Sequence, residues 1–327
     1  MQIYNTFGLP ATADQFLEFT SEEQLCQYLS KGISQPFLII GGGSNMVFTS
    51  HFPGTVIHMA NLGIIIQDGE EDEVFVTAAA GEEWDHFVKY CTEHNCHGAE
   101  NMIAIPGHVG AAPVQNVGAY GMEAKDIIHT VRTIHIKSAQ PRIFTNAECE
   151  FGYRYSIFKE QLKDQYIITS VTFRLSHTFT PNIQYQALTD ALARQGISTP
   201  TPKQLADTIA EVRWSKLPKP EQLGSVGSFF KNPIVSSDHY QKLLAQHPDI
   251  VAYPVPEGYK LAAGWLIQHA GWKGRSLGKC GVYEKQALVL VNHGGCTGQE
   301  VLALAETITN DVQKIFGVTL EKEAIII

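Results

Sequence analysis

No stretch of this sequence approaches the roughly 18–20 uninterrupted apolar residues of a bilayer-spanning helix, so no membrane insertion is expected. Basic residues are scarce too: 24 Lys and Arg face 33 Asp and Glu, a formal charge of −9. A broad nucleic-acid surface is normally basic, so no nucleic-acid partner is expected, while a local basic pocket for a small anion stays open. The opening residues, MQIYNTFGLPATADQF, lack the basic and apolar segments of a secretory signal, which points to a cytoplasmic protein. Cysteines number six, and in that compartment they are expected to be free thiols. Their one cluster, CTEHNCH at 91–97, offers Cys91, His94, Cys96 and His97 without the two-plus-two ligand spacing of a zinc site. It reads as a helix end with surface histidines, and no metal is expected. Two phosphate-binding signatures are also missing. There is no G-x-x-x-x-G-K-[ST], and GGGSNM at 41–46 lacks the last glycine of G-x-G-x-x-G.

What is present suits a globular chain. Hydrophobic residues make up 44% and charged residues 17% of 327 residues, enough apolar sequence for about two or three domains. PFLII (36–40) is a short apolar run ending in glycines, a buried strand entering a turn. Further strands are read at 54–66, 72–81, 129–138, 165–176, 287–294 and 319–327. EEWDHFVKYCTEHN (82–95) places Trp84, Phe87, Val88 and Cys91 on one helical face. Other helices are read at 201–218, around 236–246, around 260–271 and at 297–317. Strands and helices do not alternate regularly, so the class is α+β rather than a doubly wound sheet.

Two glycine-rich stretches carry chemistry. In GGGSN, Gly41, Gly42 and Gly43 let backbone N–H groups converge on an anion such as a pyrophosphate. A plain tight turn remains an equal reading of that motif alone. IPGHVGAAPVQNVGAYGME (105–123) adds Gly107, Gly110, Gly118 and Gly121 with Gln115 and Asn116 between them. Two long glycine loops in one half of the chain suggest a large phosphate-bearing cofactor. A third stretch, GSVGSFFKNP (224–233), contains Ser228 with no histidine nearby to act as its base, and its order of serine and glycine is not that of G-x-S-x-G.

GGGSN, IPGHVGAAPVQNVGAYG, FGYRYSIFK, GSFFKNP, KLAAGWLIQHAGWKG and LEKEAIII stand in the order found in UDP-N-acetylenolpyruvoylglucosamine reductases. The resemblance covers nearly the whole chain, and the 177–220 region, with Tyr185 and RWSKLP, resembles the longer subtype with a tyrosine loop. It implies a bipartite FAD-binding fold of the vanillyl-alcohol-oxidase-like flavoproteins plus a C-terminal α+β substrate domain. The implied division is 1–66 (completed by 318–327), 67–216 and 217–317. It also implies non-covalent FAD, NADPH as co-substrate, and reduction of UDP-N-acetylglucosamine enolpyruvate to UDP-N-acetylmuramate by a cytoplasmic monomer.

The resemblance extends to residues. Gly41, Gly42, Gly43, Ser44 and Asn45, with Pro106, Gly107, Ala111, Ala112, Gln115, Asn116, Gly118 and Gly121, correspond to the FAD-binding stretches. Ser228 corresponds to the proton donor, Glu323 to the catalytic glutamate and Arg154 to the residue gripping the substrate carboxylate. Tyr185, Lys216, Lys231 and Asn232 correspond to substrate contacts. Glu321 is the neighbour of Glu323 on the same expected strand face. The chain departs from the family pattern at Tyr155 and at Ala111-Ala112, where backbone N–H groups are expected to stand in for hydroxyls. Three rivals remain: a flavin enzyme of the same fold with another substrate, a serine hydrolase using Ser225 or Ser228, and a non-catalytic sugar-nucleotide-binding module.

Overall fold

The computed structural model describes residues 1–327, which divide into two compact units. The first comprises residue 1 and residues 13–42 and 53–214; the second comprises residues 2–12, 43–52 and 215–327.

In the first unit, alternation builds the larger sheet. Val74, Val76 and Ala78 are buried and their neighbours along Glu73–Ala79 are half-buried, the period-two pattern of a strand with one face on a core. The sheet is antiparallel and ordered Pro141–Thr145, Ile128–His135, Tyr166–Ser176, Glu73–Ala79, Ile64–Asp68. The helix Trp84–Glu93 lays Trp84, Phe87, Val88 and Cys91 on the core, as its spacing requires. Phe87 and Phe173 meet there with ring centroids 4.4 Å apart.

The run at 91–97 corrects one expectation. His94 is exposed, but His97 is buried, as are Cys91 and Cys96. The His97 Nδ1 lies 2.9 Å from Glu100 Oε1, a partner that lets a polar ring be buried.

A smaller sheet orders Ala13–Phe19, Phe52–Met59 and Phe37–Ile40, the last two parallel. Ser21 caps the helix Glu22–Leu29 by accepting from the Gln24 N–H. Leu25 and Leu29 of this helix share a core with Ile57 and Met59 of the small sheet and Ile134 and Ile167 of the large one. Glu22 closes the same seam. Arg132 Nε and Nη2 donate to its two carboxylate oxygens at 2.7 and 2.8 Å, and the Thr169 hydroxyl donates a third bond.

The second unit has a four-stranded antiparallel sheet ordered Gly224–Ser228, Val289–Asn292, Cys280–Val282, Ser276–Leu277. Its three-stranded partner orders Ile234–Val235, Gly258–Leu261 and Ala252–Val255. The helix Gly298–Phe316 starts at a Thr297–Glu300 capping box and ends at Gly317, whose φ is 67°. It buries Val301, Leu304 and Ile308 with Phe229 and Phe230. No helix of the chain is long and apolar enough to cross a membrane.

Three expectations are corrected in this unit. The helix read around 260–271 is only Ala263–His269, because Gly258–Leu261 pairs with Ala252–Val255 across a two-residue Pro256-Glu257 turn. The strand read over 319–327 is only Ile325–Ile326, parallel to Met46–Val47. The free-thiol expectation fails for Cys280 and Cys296, which form a disulfide. The strand and the loop before the long helix bring their Cα atoms to 5.9 Å, within bridging range.

The Arg132 guanidinium holds the Glu22 carboxyl below its usual range. A lowered carboxyl adds stability above its unfolded value, near 4.5, and loses it as pH falls through the lower folded value. Both side chains are partly exposed, so Arg132→Met is expected to cost about 1 kcal/mol in urea unfolding at neutral pH. The variant and wild-type stabilities should converge as pH falls through the lowered folded value of Glu22. An equal loss above and below that value would show that the cost is packing rather than charge.

Candidate active site

Arg154 has φ 55°, a left-handed backbone that an arginine adopts only under constraint, at a cost of about 1–3 kcal/mol. The constraint is visible. Its Nη1 and Nη2 donate to the carbonyls of Asn116 and Gly118 at 3.3 and 3.2 Å, and Lys159 Nζ donates to its carbonyl at 2.9 Å. The guanidinium is thereby tethered to the second glycine loop.

That loop is held from inside by Asn116, which is fully buried. Its Nδ2 donates to Gly152 O at 2.9 Å and to Glu123 Oε2 at 3.1 Å, and its Oδ1 accepts from the Lys125 N–H at 2.9 Å. Asn116 thus spends its amide on the scaffold. The loop then closes as a hairpin, Gly118–Ala119 against Met122–Glu123. Tyr120 and Gly121 form its two-residue turn with φ 48° and 82°, the pair of positive values a tight type I′ turn demands. A Cβ on Gly118 would lie 2.3 Å from the Met122 carbonyl oxygen, so this position excludes side chains.

The two glycine loops meet within the first unit. A Cβ on Gly41 would lie 3.2 Å from Ala111 Cβ. One on Gly42 would lie 3.2 Å from the His108 ring and 3.3 Å from Gly107 Cα. The Gly41 and Gly42 N–H groups donate to no backbone carbonyl, which suits a cradle for phosphate oxygens. The second loop differs from expectation. Val109 and Gly110 donate their N–H groups to Glu82 and Ala80, and Ala111 and Ala112 donate theirs to His108 and Val109. These N–H groups are consumed, two within a short 3₁₀ turn and two in bonds to the segment before the Trp84–Glu93 helix, and do not substitute for hydroxyls. Pro106 and Gln115 flank this turn, both half-buried.

In the second unit, Gly43 has φ 62° and lies against Tyr4 and Asn5, ahead of Ser44. Asn45 Nδ2 donates to the Glu323 carbonyl at 3.1 Å. Glu323 in turn donates its N–H to the Phe229 carbonyl at 2.8 Å, so the C-terminal segment lies beside the Ser228–Phe229 strand end. Ser228 itself is turned out by a bulge. Ser225 pairs with Val291 but Ser228 with Val289, one residue too many on the Gly224–Ser228 side, and Gly227 absorbs the kink with φ 69°. Phe229 and Phe230 anchor in the core, and the Ser228 side is exposed. The unit's histidines are engaged elsewhere: His51 with Thr12, His239 with Phe316 O, His269 with Trp265 O and His293 with Ser276, while the His247 ring packs against Trp265 and Phe316. No base is bonded to Ser228.

Other expected contacts are partly committed. Lys231 pairs with Glu321, which separates Glu321 from the role open to Glu323. Asn232 Oδ1 accepts from Ala263 N–H at 3.0 Å and caps the Ala263–His269 helix. Lys216 ends the helix Pro202–Lys216, exposed. Tyr185 precedes the helix Gln186–Arg194, and its ring meets Tyr120 edge-on at 5.3 Å. One residue escaped sequence reasoning. Arg213 has a buried Nε with no partner, and burial lowers its affinity for a proton, with Arg154 adding to the effect and Tyr120 opposing it. Two guanidiniums near one tyrosine make a place for an anion. The RWSKLP stretch had marked only Lys216, since burial of an arginine is not visible in a helical sequence.

Residues 219–327 match the family model described as UDP-N-acetylenolpyruvoylglucosamine reductase, C-terminal domain, and residues 13–138 match that of an FAD binding domain. The UDP-N-acetylenolpyruvoylglucosamine reductase of Bdellovibrio bacteriovorus is 44% identical over 323 residues, 98% of this chain and 96% of its own. That of Flavobacterium johnsoniae is 44% identical over 326 residues, 99% and 97% of the two chains. Among solved structures, the Thermus caldophilus UDP-N-acetylenolpyruvylglucosamine reductase aligns with TM-score 0.67 at 23% identity, over 99% of this chain and 95% of that one. A solvent-stable cholesterol oxidase aligns with TM-score 0.50 at 10% identity, over 98% and 86%. The architecture is the expected α+β one, an FAD-binding fold followed by a C-terminal α+β domain. The chain belongs to the UDP-N-acetylenolpyruvoylglucosamine reductase family, FAD-containing oxidoreductases of peptidoglycan precursor synthesis.

Proposed function

We propose that the chain reduces UDP-N-acetylglucosamine enolpyruvate to UDP-N-acetylmuramate at the expense of NADPH, as a cytoplasmic monomer, with Ser228 as the proton donor. The observation that supports this most is the bulged turn at Gly227, which presents a serine hydroxyl to solvent beside the Glu323 segment. The redox chemistry that FAD supplies when bound is hydride transfer between NADPH and the enolpyruvyl double bond. The two sheets of the first unit are proposed as the halves of the FAD-binding fold, and 217–317 as the substrate domain.

The side chains have separate tasks. Reduction of an enolpyruvyl ether places negative charge on the carbon next to the carboxylate. Arg154 is suited to that carboxylate, because a guanidinium stays charged and donates in two-point geometry. Arg213, beside it, adds a second cation for the same anionic ligand. Ser228 Oγ–H delivers a proton to the carbon, and the Glu323 carboxyl assists at the substrate carboxylate. Tyr185 and Lys216 are proposed to meet the diphosphate. Gly41, Gly42 and their neighbours are proposed to hold the FAD pyrophosphate.

Ser228→Ala should leave flavin reduction by NADPH intact in stopped-flow absorbance. Reoxidation by the enolpyruvyl substrate should slow by about 10²–10⁴-fold, the usual contribution of a general acid. Unchanged reoxidation would take Ser228 out of the mechanism.

The Gly42 backbone is not in the left-handed region, so Gly42→Val meets its limit in space rather than in φ. FAD affinity, read by quenching of flavin fluorescence, should fall by roughly tenfold or more, because branched methyls would fill the cradle.

Arg213→Gln is expected to raise the substrate KM by roughly 10–100-fold, the value of a charge-assisted bond to a desolvated anion. An unaltered KM would limit Arg213 to a structural part.

A further inference from the structure

The second glycine loop faces Gly42 with an imidazole, and its N–H groups at 109–112 are already spent on backbone carbonyls. That imidazole stands at the end of a polar chain. Glu18 Oε2 lies 3.0 Å from His58 Nδ1, and His58 Nε2 lies 3.4 Å from His108 Nδ1. The carboxylate can only accept, so a neutral His58 donates from Nδ1 and offers a bare Nε2. His108 then donates from Nδ1, and its own Nε2 is left as an acceptor. This Nε2 is the atom that would lie 3.3 Å from a Cβ on Gly42.

A bare nitrogen lone pair opposes a phosphate oxygen. We propose that His108 is a proton-gated ligand of the FAD pyrophosphate: Nε2 takes a proton from solvent as the cofactor docks, and then donates it in a hydrogen bond to a phosphate oxygen. The proposal rests on the placing of FAD at the glycine loops. No bond in the chain or the cofactor is made or broken, and the imidazolium replaces the hydrogen bonds that the 3₁₀ turn no longer offers.

The surroundings agree. Burial holds the free His108 imidazole below the usual histidine range, while Glu83 pulls the other way. Glu18 faces the chain of rings from the first strand and His58 from Phe52–Met59. From the start of the Trp84–Glu93 helix, Glu83 bridges to His108 through the backbone, and Glu82 is occupied by His86 and by the Gly63 N–H. An arriving pyrophosphate reverses the balance, since an opposite charge within about 4–6 Å favours the protonated ring.

The test uses the full chain freed of FAD and titrated with FAD. Calorimetry in phosphate and in Tris should report uptake of up to one proton per FAD at pH values above the lowered range of the free His108 ring. FAD affinity should weaken by up to about tenfold per pH unit as pH rises between the free and bound pKa values. His108→Gln should bind FAD with neither proton uptake nor that slope. In the unmodified protein, the nitrogen NMR signal of His108 Nε2 should move from the bare to the protonated position on adding FAD. Enthalpies independent of buffer, an unmoved signal, proton uptake that survives in His108→Gln, or flavin that stays attached through denaturation would each overturn the proposal. Gly42→Val separates the two readings. Normal FAD affinity in that variant puts the cofactor elsewhere and removes the proposal with it. Weakened affinity, with no proton uptake in the wild type, removes only the histidine.

Discussion

The buried amide of Asn116 is the interaction on which the first unit's chemistry depends. It is a single side chain with no exposure, and it joins three segments: the turn after Ala124, the hairpin at Glu123 and the loop at Gly152. The Gly152 loop carries Arg154 two residues on. The Asn116 and Gly118 carbonyls then hold the Arg154 guanidinium. A buried amide with its bonds satisfied gives geometry rather than net stability, because each bond replaces one to water. What it supplies here is the over-determined frame that lets an arginine keep a left-handed backbone. Loss of the amide would leave the cation in the chain but not in its place.

The second unit solves the same problem with backbone rather than side chain. Phe229 and Phe230 are buried, and the carbonyl of Phe229 accepts from Glu323. Ser228 and Glu323 are therefore referenced to one aromatic anchor, although they are almost a hundred residues apart in sequence. The bulge at Gly227 does what alternation cannot: it aims Ser228 outward while the following rings stay in the core. Glu321 is drawn off by Lys231, which sets it apart from Glu323 two residues on.

Much of this was legible in the sequence where a local rule had no competitor. The apolar face of Trp84, Phe87, Val88 and Cys91, and the ends of the helix at Thr297 and Gly317, follow from spacing and caps. Illegible features were those set by distant partners. Gly258–Leu261 reads as the start of a helix until it pairs with Ala252–Val255. The terminal strand shrinks to the two residues that find Met46–Val47. Asn232 looked available until the Ala263 N–H claimed it. Cys280 and Cys296 looked like separate thiols because nothing local announces that a strand and a helix entry will meet. Arg213 went unnoticed for the same reason, its burial being a property of the packed unit.

The absence of a histidine at Ser228 is what decides between acyl transfer and protonation. A serine nucleophile needs a base bonded to Oγ to accept its proton, and donors placed for an oxyanion. The second unit's histidines are engaged with Thr12, Phe316, Trp265 and Ser276 or packed, as His247 is, against aromatic rings, and none is bonded to Ser228. Giving a proton away has a lighter requirement: an acceptor more basic than the alkoxide left behind, and a means of restoring the proton. A carbon bearing the charge of a reduced enolpyruvyl group is such an acceptor, and a solvent-facing hydroxyl can be reprotonated from water. The exposed, bulge-presented Ser228 meets both conditions, whereas a nucleophile's role would need a base that this chain holds elsewhere.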